Sequence, residues 1–359
     1  MSKRFIITIV TLIVIVVLAG VAIFFAKGYS ISTKEKRIVG TGIVTIKSEP
    51  DAASVYIDGH LTTATNATIS SLSPKEYTIK VIKEGFIPWE KIVKVKEGLV
   101  NEIKVTLFPA IPTIYPLTFT GVSSPVLSPN GSKLAYIVSS SSAKKNGVWV
   151  WTMTNNQPIA FIRSSEPHQI SSNTVTDFSK ATLKWSPNSK QILATVEKTN
   201  YLLESDTLNN EPRDVTPILS ATLNSWDEDI KAKNEASILA IKDLNLRKTA
   251  SNSAKIYWSP DETKFIDGFK VYDIEEKKEY SLPPARKHLW LPDSRHIILI
   301  EDKTISLVEF DATNKAIIYA GTFADNFVFP WPDSSRLVII SSFPTPTASE
   351  PNLYGINLK

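Results

Sequence analysis

The sequence begins with a long apolar run. Residues 5–26 carry no charge and are mostly Ile, Val, Leu, Phe and Ala. With ~1.5 Å of rise per residue, a helix of this length covers roughly 33 Å, which is enough for a hydrocarbon core of about 30 Å. The run therefore predicts a transmembrane anchor at residues 1–27.

A cleaved signal peptide is the alternative interpretation of this run. Its apolar region is usually ~7 to 15 residues long and ends at a small-x-small site, whereas here apolar residues continue through Phe25. Basic residues both precede and follow the run, so their distribution does not decide the topology. We expect an uncleaved single span with a cytoplasmic N-terminus and the bulk of the chain extracytoplasmic, because of the domains that follow.

Beyond the anchor, the apolar pattern changes to a period of two. Residues 28–42 are polar and predict a linker. From Ile43 onward the apolar runs are short, β-branched and aromatic, as in the alternation over 77–81, and turn residues separate them. The pair Asp58-Gly59 directly after such a run predicts a tight hairpin. The fold class is therefore mainly β.

The segment 43–109 resembles a PEGA domain. Four blocks keep the order and spacing of that family, namely 46–53, 55–59, 72–79 and 83–89. Asp51 and Ala52 stand where the family has its name-giving Glu and Gly. The resemblance implies a small β-sandwich module of surface and envelope proteins, with a role in binding rather than catalysis.

From about residue 110 a different pattern repeats five times. Each copy has a strand-like run, a Pro followed by Asn or Asp, a basic residue three or four positions after the Pro, and a new apolar run. Pro presets a turn and Asn or Asp bonds back to the backbone, so each copy predicts a strand, a tight turn and a strand. The copies are at 126–131, 184–189, 257–262, 289–294 and 329–334.

This pattern looks like the Ser-Pro-Asp-Gly repeat of TolB-type β-propellers, in which each copy marks the inner hairpin of a four-stranded blade. The resemblance predicts a propeller of five to seven blades over 110–359, closed by a strand at 353–358. The repeat prolines are separated by 58, 73, 32 and 40 residues, whereas a blade usually takes ~40 to 45. The longest gap contains 227–249, which fits either a helix or a degenerate blade.

Composition and charge exclude several classes of protein and of functional site. Of the 359 residues, 43% are hydrophobic and 21% charged, which is typical of globular domains rather than disorder. The net charge of +4 is spread over the chain, so no nucleic-acid partner is expected. The absence of cysteine excludes disulfides, thiolate zinc sites and a cysteine nucleophile.

Candidate catalytic chemistry is sparse. The histidines lack zinc-ligand spacing and are interpreted as packing or surface residues; they are His60, His168, His288 and His296. The acidic triplet 227–229 is interpreted as a solvated turn, because it lacks the Gly and terminal Glu of a calcium loop. No nucleophile elbow, phosphate-cradling loop or Ser-x-x-Lys motif occurs. We therefore expect no enzyme activity, catalytic residue, metal site or cofactor.

Tryptophans are the remaining candidates for a ligand site. Seven of the eight lie in the C-terminal region, where an exposed set would suit a glycan. Four stand within the repeat and are interpreted as packing between blades, namely Trp185, Trp258, Trp290 and Trp331. Trp89 is interpreted as a structural residue of the PEGA-like segment. Trp149 and Trp151 share one face of a predicted strand and have no assigned role.

Together these patterns favour a membrane-anchored, extracytoplasmic binding or scaffold protein of the prokaryotic cell envelope. The expected partners are the membrane, through a single span, and a protein or a cell-wall glycan at the propeller. Two alternatives stay open. One is a propeller hydrolase or lyase with acidic or His residues at the central channel, and the other is an accessory subunit of an envelope complex, in the manner of TolB.

Overall fold

The chain folds into two compact units, Met1–Ala110 and Ile111–Leu358. The computed structural model describes residues 3–26, 29–32, 37–140, 143–153, 166–324, 327–342 and 350–359.

The apolar N-terminal run forms helix α1 (Lys3–Ala26). The side chains of Ile7 and of residues 9–23 are exposed. Among the described residues, no helix is both long and apolar enough to cross a membrane. The transmembrane anchor predicted at 1–27 is therefore not confirmed.

The predicted linker at 28–42 contains two short strands. Strands β1 (Tyr29–Ser32) and β2 (Arg37–Gly40) pair antiparallel, with Ile31 opposite Ile38. The alternation of Tyr29 and Ile31 with serines is a short strand pattern that the charges around it obscure. Residues 28 and 33–36 of the predicted linker lie outside the described residues.

The rest of the first unit is a sandwich of two sheets. Its strands are β3 (Gly42–Glu49), β4 (Ser54–Ile57), β5 (His60–Ala64), β6 (Ala67–Leu72), β7 (Glu76–Ile82), β8 (Trp89–Lys94) and β9 (Val100–Thr106). One sheet has the order β6-β3-β9, with β3 and β9 parallel, and the other has the order β5-β4-β7-β8. Period-two alternation puts Ile46, Val55 and Ile79 between the sheets with no exposure.

Two sequence predictions for this unit are confirmed. Asp58 and Gly59 have φ values of 48° and 82° and connect β4 to β5, as expected for a tight hairpin turn. Trp89 is 4% exposed and packs in the core between the sheets, so its role is structural.

The second unit contains five four-stranded sheets in its described part, and four of them follow the chain as consecutive antiparallel strands. After β10 (Ile114–Pro116), blade 1 contains β11 (Ser123–Leu127), β12 (Lys133–Val138), β13 (Gly147–Thr152) and β14 (His168–Ser172). Blade 2 contains β15 (Thr182–Trp185), β16 (Gln191–Val196), β17 (Thr199–Glu204) and β18 (Arg213–Asp214). A 3-10 turn (Thr216–Ile218) then leads into α2 (Leu219–Ala240) and α3 (Leu244–Asn252).

Three further blades follow the helices. Blade 3 contains β19 (Tyr257–Trp258), β20 (Lys264–Asp267), β21 (Lys270–Asp273) and β22 (Lys278–Ser281). Blade 4 contains β23 (Lys287–Trp290), β24 (His296–Ile300), β25 (Thr304–Glu309) and β26 (Ala316–Ala320). Blade 5 contains β27 (Val328–Pro330), β28 (Arg336–Ser341) and β29 (Asn352–Asn357), together with β10 from the start of the unit.

The two ends of the second unit close the ring in blade 5. Strand β29 pairs with β28 on one side and with β10 on the other. Blade 5 also packs against blade 1, where Phe329 and Trp331 share a core with Tyr136. The predicted closure by a C-terminal strand is confirmed, and the described residues form five blades, at the low end of the expected five to seven.

Each repeat proline lies in the turn between the first and second strands of its blade, as predicted. In blade 1, Ser128 Oγ donates to Asn130 Oδ1 at 2.8 Å and accepts from the Lys133 amide at 2.9 Å. Blades 2 and 3 repeat these bonds with Ser186 and Ser259. The Ser-Pro-Asn/Asp pattern is therefore a hydrogen-bonded turn that fixes the inner hairpin.

The segment 227–249, left open between helix and blade, is helical. Residues 219–252 contain neither Gly nor Pro, and Asp243 caps α3 by accepting from the amides of Asn245 and Leu246. The acidic triplet 227–229 is exposed on α2 rather than in a turn, which corrects that prediction.

Candidate functional site

The first strands of the blades form the inner edge of the propeller. In the order of each sheet, the strand that carries the repeat pattern stands at one end, and the first strands of neighbouring blades contact each other, β11 with β15 and β19 with β23. Blades of a propeller are arranged around a central channel, so groups on these strands converge there.

Alternation along the first strands separates packing residues from exposed ones. On β15, Leu183 and Trp185 are buried, whereas Thr182 and Lys184 are exposed. On β23, Trp290 is buried and Lys287 is exposed. The exposed residues stand three or five positions before the repeat proline, on the side opposite the tryptophan.

Blade 3 follows the same arrangement. Tyr257 is 41% exposed, and the exposed Lys255 just before β19 has its ammonium group 4.9 Å from the centroid of the Tyr257 ring. This distance permits a cation–π contact. We call the exposed set from blades 2, 3 and 4 the first-strand surface; it consists of Thr182, Lys184, Lys255, Tyr257 and Lys287.

The first-strand surface is positively charged. It carries three lysines, and strands β11, β15, β19, β23 and β27 contain no Asp or Glu. Nearby, Asp302 lies 2.6 Å from the Arg286 guanidinium, and Asp267 accepts a hydrogen bond from Ser253 Oγ at 2.6 Å. These lysines were not predicted, although each stands at an odd spacing of three or five residues before the repeat proline, on the strand side opposite the tryptophan.

The repeat tryptophans serve packing between blades, as predicted, with one variation. Trp185 Nε1 donates to the Val126 carbonyl of blade 1, and Trp290 Nε1 donates to the Tyr257 carbonyl of blade 3, each at 2.9 Å. Trp258 Nε1 instead donates to Asn234 Oδ1 on α2 at 2.8 Å. Trp331 is buried where blade 5 meets blade 1.

Helix α2 therefore takes the place of a preceding blade at the contact with blade 3. It also packs against blade 2, where buried Trp226 contacts Leu193 and Val215. The other two tryptophans, Trp149 and Trp151, are half-buried on β13 in the blade 1 core, and within the described part of the chain their Nε1 atoms have no hydrogen-bond partner.

The histidines do not converge. His60 is exposed on β5, in the first unit. In the second unit, His168 Nε2 lies 3.1 Å from the Ser205 carbonyl, and His288 Nε2 lies 2.9 Å from the Pro283 carbonyl. His296 is 1% exposed, and its Nδ1 lies 2.5 Å from Asp293 Oδ2.

The Asp293–His296 pair is part of a turn rather than of a site. Burial raises the pKa of the Asp293 carboxyl, but the hydrogen bond and charge of His296 and the backbone amides of Arg295 and His296 outweigh it and lower that pKa to about 2. The carboxylate thus bonds back to its own turn, as in the other repeats. Over the described residues, no group of three or more acidic or His side chains is placed to hold a metal ion.

Two open cavities lie beside blade 5, the smaller one next to the connection from blade 4 and the larger one next to the start of blade 1. Their volumes are about 290 and 420 Å³, and Ile340 and Pro351 line both. Ser123 Oγ lines the larger one and has no hydrogen-bond partner among the described residues. The other described lining residues are apolar or carry hydroxyl groups, so these cavities present no acid or base.

Comparison with known proteins gives one family match and several similarities to solved structures. Residues 41–111 match the PEGA domain family. A search of curated proteins found no match. Among solved structures, the chain is similar to TolB from Acinetobacter baumannii, with 11% identity over 80% of this chain and 61% of that chain and a TM-score of 0.24.

Two other solved structures show similarities with TM-scores in the same range. The β-propeller domain of the Trilobed protease from Pyrococcus furiosus is 12% identical over 89% of this chain and 69% of that chain, with a TM-score of 0.18. An oligogalacturonate lyase in complex with manganese is 11% identical over 79% and 74%, with a TM-score of 0.22. The propeller assignment rests on the blade topology described above, and the protein thus contains a PEGA domain at residues 41–111 followed by a β-propeller that has five blades among the described residues.

Proposed function

We propose that this protein is a non-catalytic binding or scaffold protein of the prokaryotic cell envelope, whose propeller presents its interaction surface at the first strands. The observation that carries the proposal is the first-strand surface. It collects exposed ammonium, hydroxyl and phenol groups from three blades at the inner edge of the second unit. Groups held on strands keep their positions, which favours binding.

The chemistry of this surface supports binding over turnover. A lysine activated as a nucleophile or base is typically desolvated or placed beside another cation, and a general acid–base pair needs groups within hydrogen-bond reach. Lys184 is exposed, and the side chains beside it on β15 are Leu183 and Trp185, which are buried and not ionisable. These features suit attraction of an opposite charge.

Photo-crosslinking in native cells tests the binding role. A photoreactive residue replacing Thr182, on the first-strand surface, should yield a defined adduct with a partner protein or glycan. The matched control replaces Lys190, which is exposed in the adjacent repeat turn of the same blade. Equal adducts from both positions, or adducts from Lys190 only, would place the interaction elsewhere.

The proposal includes attachment to a membrane, with both β units outside the cell. Its support is the uncharged sequence at 5–26 together with the exposed apolar side chains along α1, such as Leu12, Ile15 and Leu18 at 57 to 62% exposure. Apolar surface of this extent is stable only when something covers it.

Fractionation and proteolysis test this attachment. Deleting residues 1–27 should move the protein from the membrane fraction to the soluble fraction without unfolding it. Protease added to intact cells should digest the β units of the full chain. Protection until lysis would refute the extracytoplasmic location.

A further inference from the structure

We propose that Asn66 carries an N-linked oligosaccharide, attached through its side-chain amide. Asn66 and Thr68, with Ala67 between them, form the acceptor motif Asn-x-Ser/Thr. Such motifs are modified on surface loops of secreted chains. The modification therefore goes beyond the proposed binding role and rests on the extracytoplasmic location proposed with it. The observations that favour this site are the exposure of the turn, the orientation of the amide and the uncharged strands on either side.

The motif lies at an exposed turn of the sandwich in the first unit. Asn66 is exposed, has a φ of 66° and connects β5, an edge strand of one sheet, to β6, an edge strand of the other. Asparagine is one of the few residues besides glycine that adopt this left-handed conformation readily. Thr68, the third residue of the motif, is exposed on β6. Both residues that the modification requires are thus at the surface.

The amide group of Asn66 is oriented with its nitrogen available. The backbone N–H of Ser48 donates to Asn66 Oδ1 at 3.3 Å. Because a backbone N–H can only donate, the atom that faces it must be the amide oxygen rather than the nitrogen. Within the described part of the chain, Asn66 Nδ2 has no hydrogen-bond partner. Nδ2 is the atom that an N-linked sugar occupies, so the acceptor atom is both oriented and free.

A second copy of the motif, formed by Asn130, Gly131 and Ser132, is tied into the repeat turn of blade 1. Asn130 Oδ1 accepts three hydrogen bonds, from Ser128 Oγ and from the amide and hydroxyl of Ser132. The backbone N–H of Asn130 donates to Ser189 Oγ of blade 2 at 3.2 Å. The hydroxyl of this motif is therefore engaged, and an enzyme could use the asparagine only by opening the turn. We expect Asn130 to stay unmodified.

The strands on either side of Asn66 carry no charge. Residues 60–74 contain no Lys, Arg, Asp or Glu, and they include both β5 and β6. The opposite edge strands of the two sheets, β8 and β9, each contain Lys and Glu. Edge strands pair with other chains unless charge, proline or a cover prevents it. A bulky, hydrophilic oligosaccharide on the turn between β5 and β6 supplies such a cover for both edges.

The transfer needs a donor and an enzyme from the cell. The donor is an oligosaccharide linked to a lipid phosphate, and the enzyme is a transferase at the outer face of the membrane. The bond between Asn66 Nδ2 and C1 of the first sugar forms as the C1–O bond to the donor phosphate breaks. One amide proton is lost and the lipid phosphate leaves, so nothing is oxidised or reduced. The chain contributes the acceptor amide of Asn66 and the hydroxyl of Thr68.

Mass spectrometry of the full chain purified from native membranes tests the assignment. Trypsin releases Asn66 in peptide 48–75 and Asn130 in peptide 105–133, so each motif is read separately. Peptide 48–75 should carry the added mass of an oligosaccharide and give sugar fragment ions, whereas peptide 105–133 should have its unmodified mass. Asn66→Gln should remove the added mass, and the matched control Asn130→Gln should leave it in place.

Exchanges at Thr68 test the motif without touching the acceptor. Thr68→Ala should abolish the added mass, and Thr68→Ser, which keeps the hydroxyl, should retain it. An unmodified peptide 48–75 in the parent protein would overturn the assignment, as would added mass that survives Asn66→Gln. If that peptide is unmodified while protease digests the β units on intact cells, the proposed extracytoplasmic role stands without the glycan. Protection of the β units until lysis would remove both.

Discussion

In all five blades, the residue two positions after the repeat proline has a positive φ, between 57° and 70°. Only blade 1 has glycine there, Gly131, and the other blades have Ser189, Glu262, Ser294 and Ser334. A side chain in this left-handed region costs roughly 1 kcal/mol or more. A Cβ added at Gly131 would meet no atom within 4 Å, so only the backbone conformation would resist it.

Exchanges at this position should have opposite signs in two blades. Gly131→Ala should lower the free energy of unfolding by about 1 kcal/mol, and Ser334→Gly should raise it by up to about 1 kcal/mol. Ser334→Ala, which keeps a Cβ in the same conformation, is the control and should change little. Urea denaturation measures all three; stabilisation by Gly131→Ala would contradict the conformational explanation.

The low pKa of Asp293 predicts a pH-dependent contribution to stability. A depressed folded-state pKa stabilises the fold above the unfolded pKa of about 3.9, and this contribution is lost as pH falls toward the folded value of about 2. Asp293→Asn should therefore lower the free energy of unfolding at pH 7 by about 2 kcal/mol.

Urea denaturation at pH 7, 5 and 3 checks this prediction. The difference between Asp293→Asn and the parent protein should be clearly smaller at pH 3 than at pH 5. A difference that keeps its full size at pH 3 would mean that the carboxylate charge does not stabilise the turn.

At the scale of elements, α2 substitutes for a blade in the contact with blade 3. Besides the Trp258–Asn234 bond, Ser237 Oγ on α2 donates to Glu262 Oε2 at 3.1 Å. At the corresponding place in other blades, Ser189 and Ser294 accept from the repeat-turn amide of the preceding blade. One helix thus supplies polar partners that neighbouring blades otherwise supply.

A double-mutant cycle tests this substitution. Trp258→Phe should lower the free energy of unfolding by about 1 kcal/mol in the parent protein, because the indole N–H loses its acceptor. In an Asn234→Ala background the same exchange should cost much less. Trp185→Phe, whose acceptor is a backbone carbonyl, should cost the same in both backgrounds; additive effects of Trp258→Phe and Asn234→Ala would contradict the bond.

The elements that could be predicted correctly from sequence are those marked by a short motif of consecutive residues. The turn at Asp58-Gly59 and the five repeat hairpins each depend on a few consecutive residues, so they could be predicted correctly. The segment 227–249 could not be assigned to a helix or a blade from sequence. Helix α2 packs against two different blades, so its buried residues do not form one apolar face with a helical period. The β1–β2 hairpin was missed since its strands have only four residues each.

At the scale of the whole molecule, the candidate site depends on strands that are far apart in sequence. The repeat prolines of blades 2 and 3 are separated by 73 residues, so nothing local brings Lys184 near the lysines of the later blades. The repeat could therefore be predicted from sequence, but the predicted ligand candidates were the tryptophans, which are the more distinctive residues. Closure of the ring brings first strands that are far apart in sequence to one inner edge.

An engineered disulfide between β10 and β29 tests the closure of the propeller most directly. Because the chain has no cysteine, no other thiol can compete for the bond. Pro116 on β10 is paired with Tyr354 on β29, and paired Cα atoms of antiparallel strands lie ~4.5 to 5.5 Å apart, within disulfide reach. Pro116→Cys with Tyr354→Cys should form an intramolecular disulfide under mild oxidation and raise the free energy of unfolding by about 2 to 4 kcal/mol over its reduced form. The single variants control for the lost side chains. A pair that stays reduced, or that crosslinks only between molecules, would show that β10 and β29 do not close the propeller.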